Sequence, residues 1–214
     1  MKNHTFAVLV ALGLGLATPA MADTFKITLD TSPLTGTQML AFGLVDGDGS
    51  VNNTLSLTDF NLNGGSAVAG TADCSGAAGC FGDIDGGIAL SDAAFLTFFS
   101  QQFEPGASLS FILNTTNSFA GGTPDAFAMY VCNDSFSVCY SDDAATSAML
   151  MVDLTSGVLA ASDFTTFGSS GYQLDAPVVT AAPEPDTLVL LAAGLTGAAL
   201  RRRRRAEGPS ESLG

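Results

Sequence analysis

Apolar and polar residues alternate with a period of two in the part of the chain that follows residue 22. Phe25, Ile27 and Leu29 occupy every second position between polar neighbours, a pattern typical of a strand with one buried face. Further apolar or alternating runs have strand length, and they cover residues 39–45, 55–60, 108–113, 126–132, 136–140 and 148–154. The pattern predicts a β domain over residues 23–178.

Turn-forming residues separate these runs. Gly accepts positive φ, and the side chains of Asp and Asn bond to their own turn, so clusters of these residues predict hairpins and loops. Strands with this spacing predict an all-β fold, an antiparallel β-sandwich with the jelly roll as one form of it. The clearest clusters are Asp46-Gly47-Asp48-Gly49, Asn63-Gly64-Gly65, Glu104-Pro105-Gly106 and Gly121-Gly122-Thr123-Pro124.

One segment, residues 91–103, departs from the period of two. Its phenylalanines are spaced close to 3.6 residues, and Ser91 can cap the N-terminus of a helix. We therefore expect one short helix that packs on the sandwich. Packing in the core explains its aromatic residues better than a ligand pocket does. The residues are Phe95, Phe98, Phe99 and Phe103.

Residues 1–22 have the pattern of a secretory signal peptide. Lys2 precedes an apolar run from Phe6 to Ala17, and Ala20-Met21-Ala22 supplies the small residues of a cleavage site. We expect the secretion machinery to export the chain and to remove these residues before Asp23.

Residues 179–214 contain an apolar segment that ends in a block of positive charge. The fourteen residues from Thr187 to Leu200 would form about 21 Å of helix, which is short against a hydrocarbon core of roughly 30 Å. Arginine is costly to move through hydrocarbon, so the block predicts a stop on the cytoplasmic side and transient retention in the inner membrane. The block consists of Arg201, Arg202, Arg203, Arg204 and Arg205.

Pro183, Glu184 and Pro185 precede this apolar segment, and the ordered combination resembles the PEP-CTERM sorting signal. The resemblance implies that the apolar segment is a hydrophobic sorting helix and that a membrane-embedded exosortase recognises it. The exosortase would cut near the three residues and release or transfer the protein toward the cell surface or the extracellular matrix. The alternative is a short C-terminal anchor that is not processed.

The body between these two end segments is strongly acidic. Seventeen Asp or Glu lie between Asp23 and Asp175, and Lys26 is the only basic residue, so the body carries a net charge of −16. Such a surface repels nucleic acid and anionic lipid. The body also has no His to act as a general base and no Arg to clamp a phosphate or carboxylate. We therefore expect a protein that is not an enzyme, and hydrolysis by a pair of carboxylates is the one catalytic alternative left open.

The cysteines are four in number, and an even number in an exported chain favours disulfides. Three pairings are open, and proximity in sequence favours Cys74 with Cys80 and Cys132 with Cys139. A zinc site made of four thiolates is the alternative.

Two loops carry the pattern Asp-x-Asp-Gly. Asp46 and Asp48 lie in the first loop, and Asp83 and Asp85 lie in the second. Carboxylates in such loops suit Ca²⁺, although Leu57 stands where an EF-hand starting at Asp46 needs a glutamate. Plain turn formation is the alternative for both loops. We expect no other cofactor.

Three functions are consistent with these features. The first is a non-catalytic surface or extracellular-matrix protein, sorted by an exosortase and associated with exopolysaccharide or biofilm. The second is a calcium-dependent carbohydrate-binding, lectin-like module. The third is a hydrolase that uses two carboxylates.

Overall fold

The computed structural model describes residues 23–75, 79–155 and 157–182. The predicted signal peptide, the three residues from Pro183 to Pro185 and the arginine block lie outside the described residues. The strands are β1 (Asp23–Asp30), β2 (Gln38–Val45), β3 (Thr54–Asn61), β4 (Ser66–Ala67), β5 (Asp73–Ser75), β6 (Cys80–Asp83), β7 (Gly87–Ser91), β8 (Leu96–Glu104), β9 (Ser108–Thr115), β10 (Asp125–Asn133), β11 (Leu150–Leu154), β12 (Thr165–Thr166) and β13 (Val178–Ala181).

The strands form two antiparallel sheets, so the predicted β-sandwich is confirmed. The first sheet has the order β13-β1-β9-β3-β7-β6, and the second has the order β12-β11-β10-β2-β8-β4, with β5 also paired to β8. Strands that are successively farther apart in the sequence pair with each other. β3 pairs with β7, β2 pairs with β8, and β1 pairs with β9, which also pairs with β3. β10 lies between β2 and β11. Nested pairing of this kind is typical of jelly rolls.

Phenylalanine rings fill the space between the sheets. Phe42 of β2 lies in the core, with its ring centroid 5.3 Å from that of Phe111 and 6.1 Å from that of Phe127. All three side chains are at most 1 % exposed. Aromatic burial of this kind contributes more per residue than aliphatic burial, because each ring removes a large apolar area from water. The core follows from the alternation seen in the sequence.

The prediction of a helix over residues 91–103 is wrong, because β8 occupies Leu96–Glu104. Phe99 and Phe103 do face the core. The other two buried positions of β8 are polar residues, Thr97 and Gln101. Gln101 is 2 % exposed and its Oε1 accepts a hydrogen bond from the Ile84 amide at 2.8 Å. Thr97 is fully buried and donates to the Ser91 carbonyl at 2.7 Å. These satisfied polar groups hide the period of two from a pattern based on hydrophobicity.

The described cysteines form the two disulfides that proximity predicted. Cys74 is bonded to Cys80, which joins β5 of the second sheet to β6 of the first. Cys132 is bonded to Cys139 across a turn that follows β10. With all four sulfurs in disulfides, no thiolate is left for the alternative zinc site.

Candidate functional site

Three aspartates from distant parts of the sequence meet at one end of the sandwich. Asp46 and Asp48 lie in the loop between β2 and β3, and Asp125 is the first residue of β10. Each of the three offers a carboxylate oxygen that lies within 4.8 Å of the other two. We call Asp46, Asp48 and Asp125 the aspartate cluster.

Asp125 holds the loop between β2 and β3 against the start of β10. It is fully buried, and its Oδ1 accepts hydrogen bonds from the amide of Gly47 at 2.8 Å and of Asp48 at 3.4 Å. The loop comes so close that a Cβ on Gly47 would lie 2.2 Å from the Pro124 carbonyl oxygen. Only glycine fits there without movement of the backbone.

The other two carboxylates of the aspartate cluster are oriented by nearby amides. Asp46 Oδ1 accepts from the Gly49 amide at 2.7 Å. Asp48 Oδ2 accepts from the Ala120 amide at 2.7 Å, which ties this loop to the one between β9 and β10. The Ala120 amide is the main reason that the pKa of Asp48 lies below its usual value. Asp48 therefore stays ionised in neutral solution.

A fourth carboxylate, Asp92, lies beside the aspartate cluster, directly after β7. It is fully buried, and its Oδ2 accepts from the amides of Asn52 at 2.9 Å and Asn53 at 2.7 Å. Its Oδ1 is also buried and has no hydrogen-bond partner among the residues that the structure describes. Burial raises the pKa of Asp92, and the neighbouring Asp125 carboxyl raises it further, against the effect of the two amides.

Asn53 connects these groups. Its amide nitrogen Nδ2 donates to Asp125 Oδ2 at 2.7 Å and to the Ser118 carbonyl at 2.7 Å, and its backbone amide donates to Asp92. Its Oδ1 accepts from the Ser118 amide at 2.8 Å. Asn53, directly before β3, therefore links Asp92 through its backbone amide, and Asp125 and the loop between β9 and β10 through its buried side chain.

Within residues 23–75, 79–155 and 157–182, no basic side chain compensates the buried pair Asp92 and Asp125. Lys26 is the only basic residue among those the structure describes, and it lies within β1, opposite Ile112 of β9 and Thr180 of β13. Two adjacent carboxylates out of water repel each other strongly when both are charged. Their charge must be offset by a proton or by a cation.

Of the predicted calcium ligands, Asp46 and Asp48 lie in the aspartate cluster, and Asp83 and Asp85 do not. The latter two are exposed. Asp83 ends β6 and Asp85 lies in the turn to β7, where Asp83 Oδ1 accepts from the Gly86 amide at 2.6 Å. Sequence reasoning missed Asp125 and Asp92. Neither has a local signal, because only the pairing of the strands brings them to the loop between β2 and β3.

A groove of about 430 Å³ runs along the outward side of the first sheet. Its exposed aromatic side chain is Phe81 of β6, which is 67 % exposed. Its polar side chains carry hydroxyl or amide groups, and none of the residues that line it is charged. We call this feature the groove. It is lined by Thr54, Leu55, Ser56, Gly79, Phe81, Ala89, Leu90, Ser91, Asn114, Thr115 and Thr116.

The groove ends next to the aspartate cluster and Asp92. Thr54, in the groove, follows Asn53, and Ser91, also in the groove, precedes Asp92. The hydroxyl of Thr116, which lines the groove, donates a hydrogen bond to Asn53 Oδ1 at 3.3 Å. Asn53 therefore connects the buried carboxylates directly to a residue that lines the groove.

The family model of the PEP-CTERM protein-sorting motif matches residues 181–205. The match includes Pro183, Glu184 and Pro185, the apolar segment and the arginine block, so the resemblance is confirmed. The motif indicates a protein that is exported and sorted by an exosortase, with a C-terminal membrane-anchoring signal. No curated protein and no solved structure matches the chain.

The described part of the chain contains no helix that is long and apolar enough to span a bilayer. The predicted sorting helix lies outside that part.

Proposed function

We propose that the chain acts after export as a non-catalytic component of the cell surface or extracellular matrix that associates with exopolysaccharide. The observation that carries the proposal is the groove, an uncharged surface with an exposed aromatic ring on a strongly acidic domain. The sorting motif supports the proposal because it indicates a protein that is exported and sorted by an exosortase.

The chemistry of the groove suits a neutral glycan. The ring of Phe81 offers an apolar face to the C–H groups of a sugar, and Ser56 and Asn114 offer a hydroxyl and an amide to its hydroxyl groups. Its volume is in the range of natural ligand sites. The negative charge of the surrounding domain disfavours polyanionic partners such as nucleic acid or acidic glycans.

The placement of the carboxylates supports a role without catalysis. Glycoside hydrolysis needs two carboxyl groups on either side of the scissile bond. The closely paired carboxylates Asp92 and Asp125 are both fully buried, and no carboxylate lines the groove. A glycan in the groove would therefore meet no acid and no base.

Retention on exopolysaccharide from the producing cells tests this proposal. The full chain, purified in mild detergent, is expected to bind, and Phe81→Ala should weaken binding at least tenfold because a buried phenylalanine is worth about 1.5–3 kcal/mol. The matched control is Phe95→Ala, since Phe95 is 77 % exposed and does not line the groove. Equal binding by both variants, or no retention of the wild type, would contradict the proposal.

The second candidate is a calcium-dependent carbohydrate-binding module. It is favoured by the contact between the groove and the carboxylates through Asn53. The same retention assay separates the two candidates. A matrix component with a preformed groove binds equally in EDTA and in Ca²⁺, whereas the calcium-dependent module loses binding in EDTA and regains it when Ca²⁺ is added.

A further inference from the structure

We propose that the aspartate cluster, together with Asp92, is a Ca²⁺ site that joins the loops at one end of the sandwich. The ion would connect the loop between β2 and β3, the segment after β7 and the start of β10. This inference is independent of glycan binding, and it is tested without any glycan.

The spacing of the carboxylates fits the ion. Oxygen ligands lie 2.3–2.6 Å from Ca²⁺, so two ligands on opposite sides of one ion are about 4.6–5.2 Å apart at most. The oxygens of Asp46, Asp48 and Asp125 lie within 4.8 Å of one another. One ion can therefore contact all three carboxylates without movement of the backbone.

The hydrogen bonds of the aspartate cluster leave room for an ion. Each carboxylate has about four lone-pair positions, and its hydrogen bonds use only some of them. Asp46 accepts one hydrogen bond, and Asp48 and Asp125 accept three each. These bonds come from backbone amides and from the side chains of Asn52 and Asn53, so they orient the carboxylates without neutralising them.

Asp92 supplies the observation that separates this site from an ordinary group of acids. Its Oδ1 is a buried carboxylate oxygen without a hydrogen-bond partner, on a side chain that is fully buried beside Asp125. A buried carboxylate oxygen left unpaired costs free energy unless a cation or a proton compensates it. Asp92 interacts directly with the Asp125 carboxyl group, so a cation held by Asp125 would weaken the repulsion between the two carboxylates.

The donor set favours Ca²⁺ over other divalent ions. All the donors are hard oxygens carried by loops and strand ends, which suits the flexible coordination of Ca²⁺ by six to eight oxygens. Mg²⁺ demands a strict octahedron, and it retains several waters. Zn²⁺ prefers His and Cys, but the described residues contain no His and all their cysteines are in disulfides.

Calcium titration of the full chain tests the inference directly. We would purify the chain in mild detergent, strip it with EDTA and follow Ca²⁺ uptake by calorimetry and unfolding by a thermal scan. We expect one ion per chain. We also expect a rise in the unfolding midpoint of about 5–10 °C at a Ca²⁺ concentration 100 times the Kd. No saturable uptake up to about 10 mM would overturn the inference, since extracellular calcium modules bind at about 0.1–1 mM.

A matched pair of variants locates the ion. Asp46→Asn and Asp83→Asn each remove one charge from an Asp-x-Asp-Gly loop and keep the side-chain oxygen that accepts an amide three residues later. We expect Asp46→Asn to weaken Ca²⁺ binding at least tenfold and Asp83→Asn to leave it unchanged. Equal weakening by the two variants would mean that Ca²⁺ responds only to net charge, and the inference would fail.

The variant Asp92→Asn tests whether a cation or a shared proton offsets the charge of Asp92 and Asp125. If the ion compensates Asp92, this variant should melt at a higher temperature than the wild type in EDTA, because one of two adjacent charges is gone. It should also gain less from Ca²⁺ than the wild type. If the variant gains as much from Ca²⁺ as the wild type does, Asp92 is no part of the site and the proposal as stated is wrong.

Discussion

Two loops of this protein share the pattern Asp-x-Asp-Gly and differ in what surrounds them. The first, residues 46–49, lies over Asp125, and the second, residues 83–86, forms an exposed turn between β6 and β7. In both loops the first aspartate accepts a hydrogen bond from the amide three residues later, at 2.7 Å from Gly49 and at 2.6 Å from Gly86. The two loops therefore share this hydrogen bond, and it does not decide whether the loop can bind an ion.

The residue between the two aspartates makes the difference. In the first loop it is Gly47, which lets the backbone approach Pro124 and donate to Asp125. In the second loop it is Ile84, whose side chain is 2 % exposed and part of the core. Because Ile84 faces inward, Asp83 and Asp85 on either side remain exposed, and no third carboxylate of the described residues forms a cluster with them. The first loop is held by hydrogen bonds to a buried carboxyl group and the second by hydrophobic burial.

The largest effect is expected from Ile84→Ala. Removing a buried isoleucine side chain leaves a cavity, and we expect the free energy of unfolding to fall by about 3–4 kcal/mol. Denaturant unfolding of the full chain with its disulfides intact would measure this loss. Calcium affinity should stay as in the wild type. A parallel loss of calcium affinity would show that the two loops are not independent.

A smaller effect is expected from Gly47→Ala. The added Cβ would meet the Pro124 carbonyl oxygen at 2.2 Å and the Thr123 carbonyl oxygen at 2.8 Å, so the loop must move away from Asp125. We expect the free energy of unfolding to fall by about 2 kcal/mol and Ca²⁺ uptake to weaken.

Gly86→Ala is the control for Gly47→Ala. A Cβ on Gly86 would meet only the Asp83 side chain, with its closest approach 3.1 Å from Oδ1. The cost should be below about 1 kcal/mol. If the two glycine variants lose equal stability, the close approach of the first loop to Pro124 is not what distinguishes the two loops.

An effect similar in size to that of Gly47→Ala is expected when Cys74 and Cys80 are both changed to Ser. Their disulfide closes a short loop and holds β6, which carries Phe81 and leads into the second Asp-x-Asp-Gly loop. We expect a loss of about 2 kcal/mol in the free energy of unfolding and weaker retention on exopolysaccharide. Calcium uptake, measured by calorimetry, should not change, since β6 provides no ligand to the aspartate cluster.

The fold was predictable wherever burial alternates without interruption. β1 and β9 alternate strictly between buried and partly exposed or exposed residues, and the sequence identifies both. Buried and more exposed residues also alternate along β8. Its buried face includes Thr97 and Gln101, so its hydrophobic residues alone suggest a helical period. Burial of satisfied polar groups is a tertiary property, and hydrophobicity along the chain does not report it.

The sequence predicted two of the three residues of the aspartate cluster. Asp46 and Asp48 stand out because a turn requires their residue types, but the same signal selects Asp83 and Asp85 equally. Asp125 lies 77 residues beyond Asp48, and it reaches the loop because β10 pairs with β2 along the register that sets Ala126 opposite Val45. A one-dimensional pattern contains no information on that register.

The sequence by itself determined the features that depend on residues close together in the chain or on overall composition. These are the sorting motif, the acidity of the body, the alternating strands and the two disulfides between cysteines six and seven residues apart. Only the tertiary structure decided which carboxylates meet, which of them lose contact with water and where an uncharged groove remains. Those properties depend on distances between residues far apart in sequence, and such distances are set by how the strands pair and how the two sheets pack.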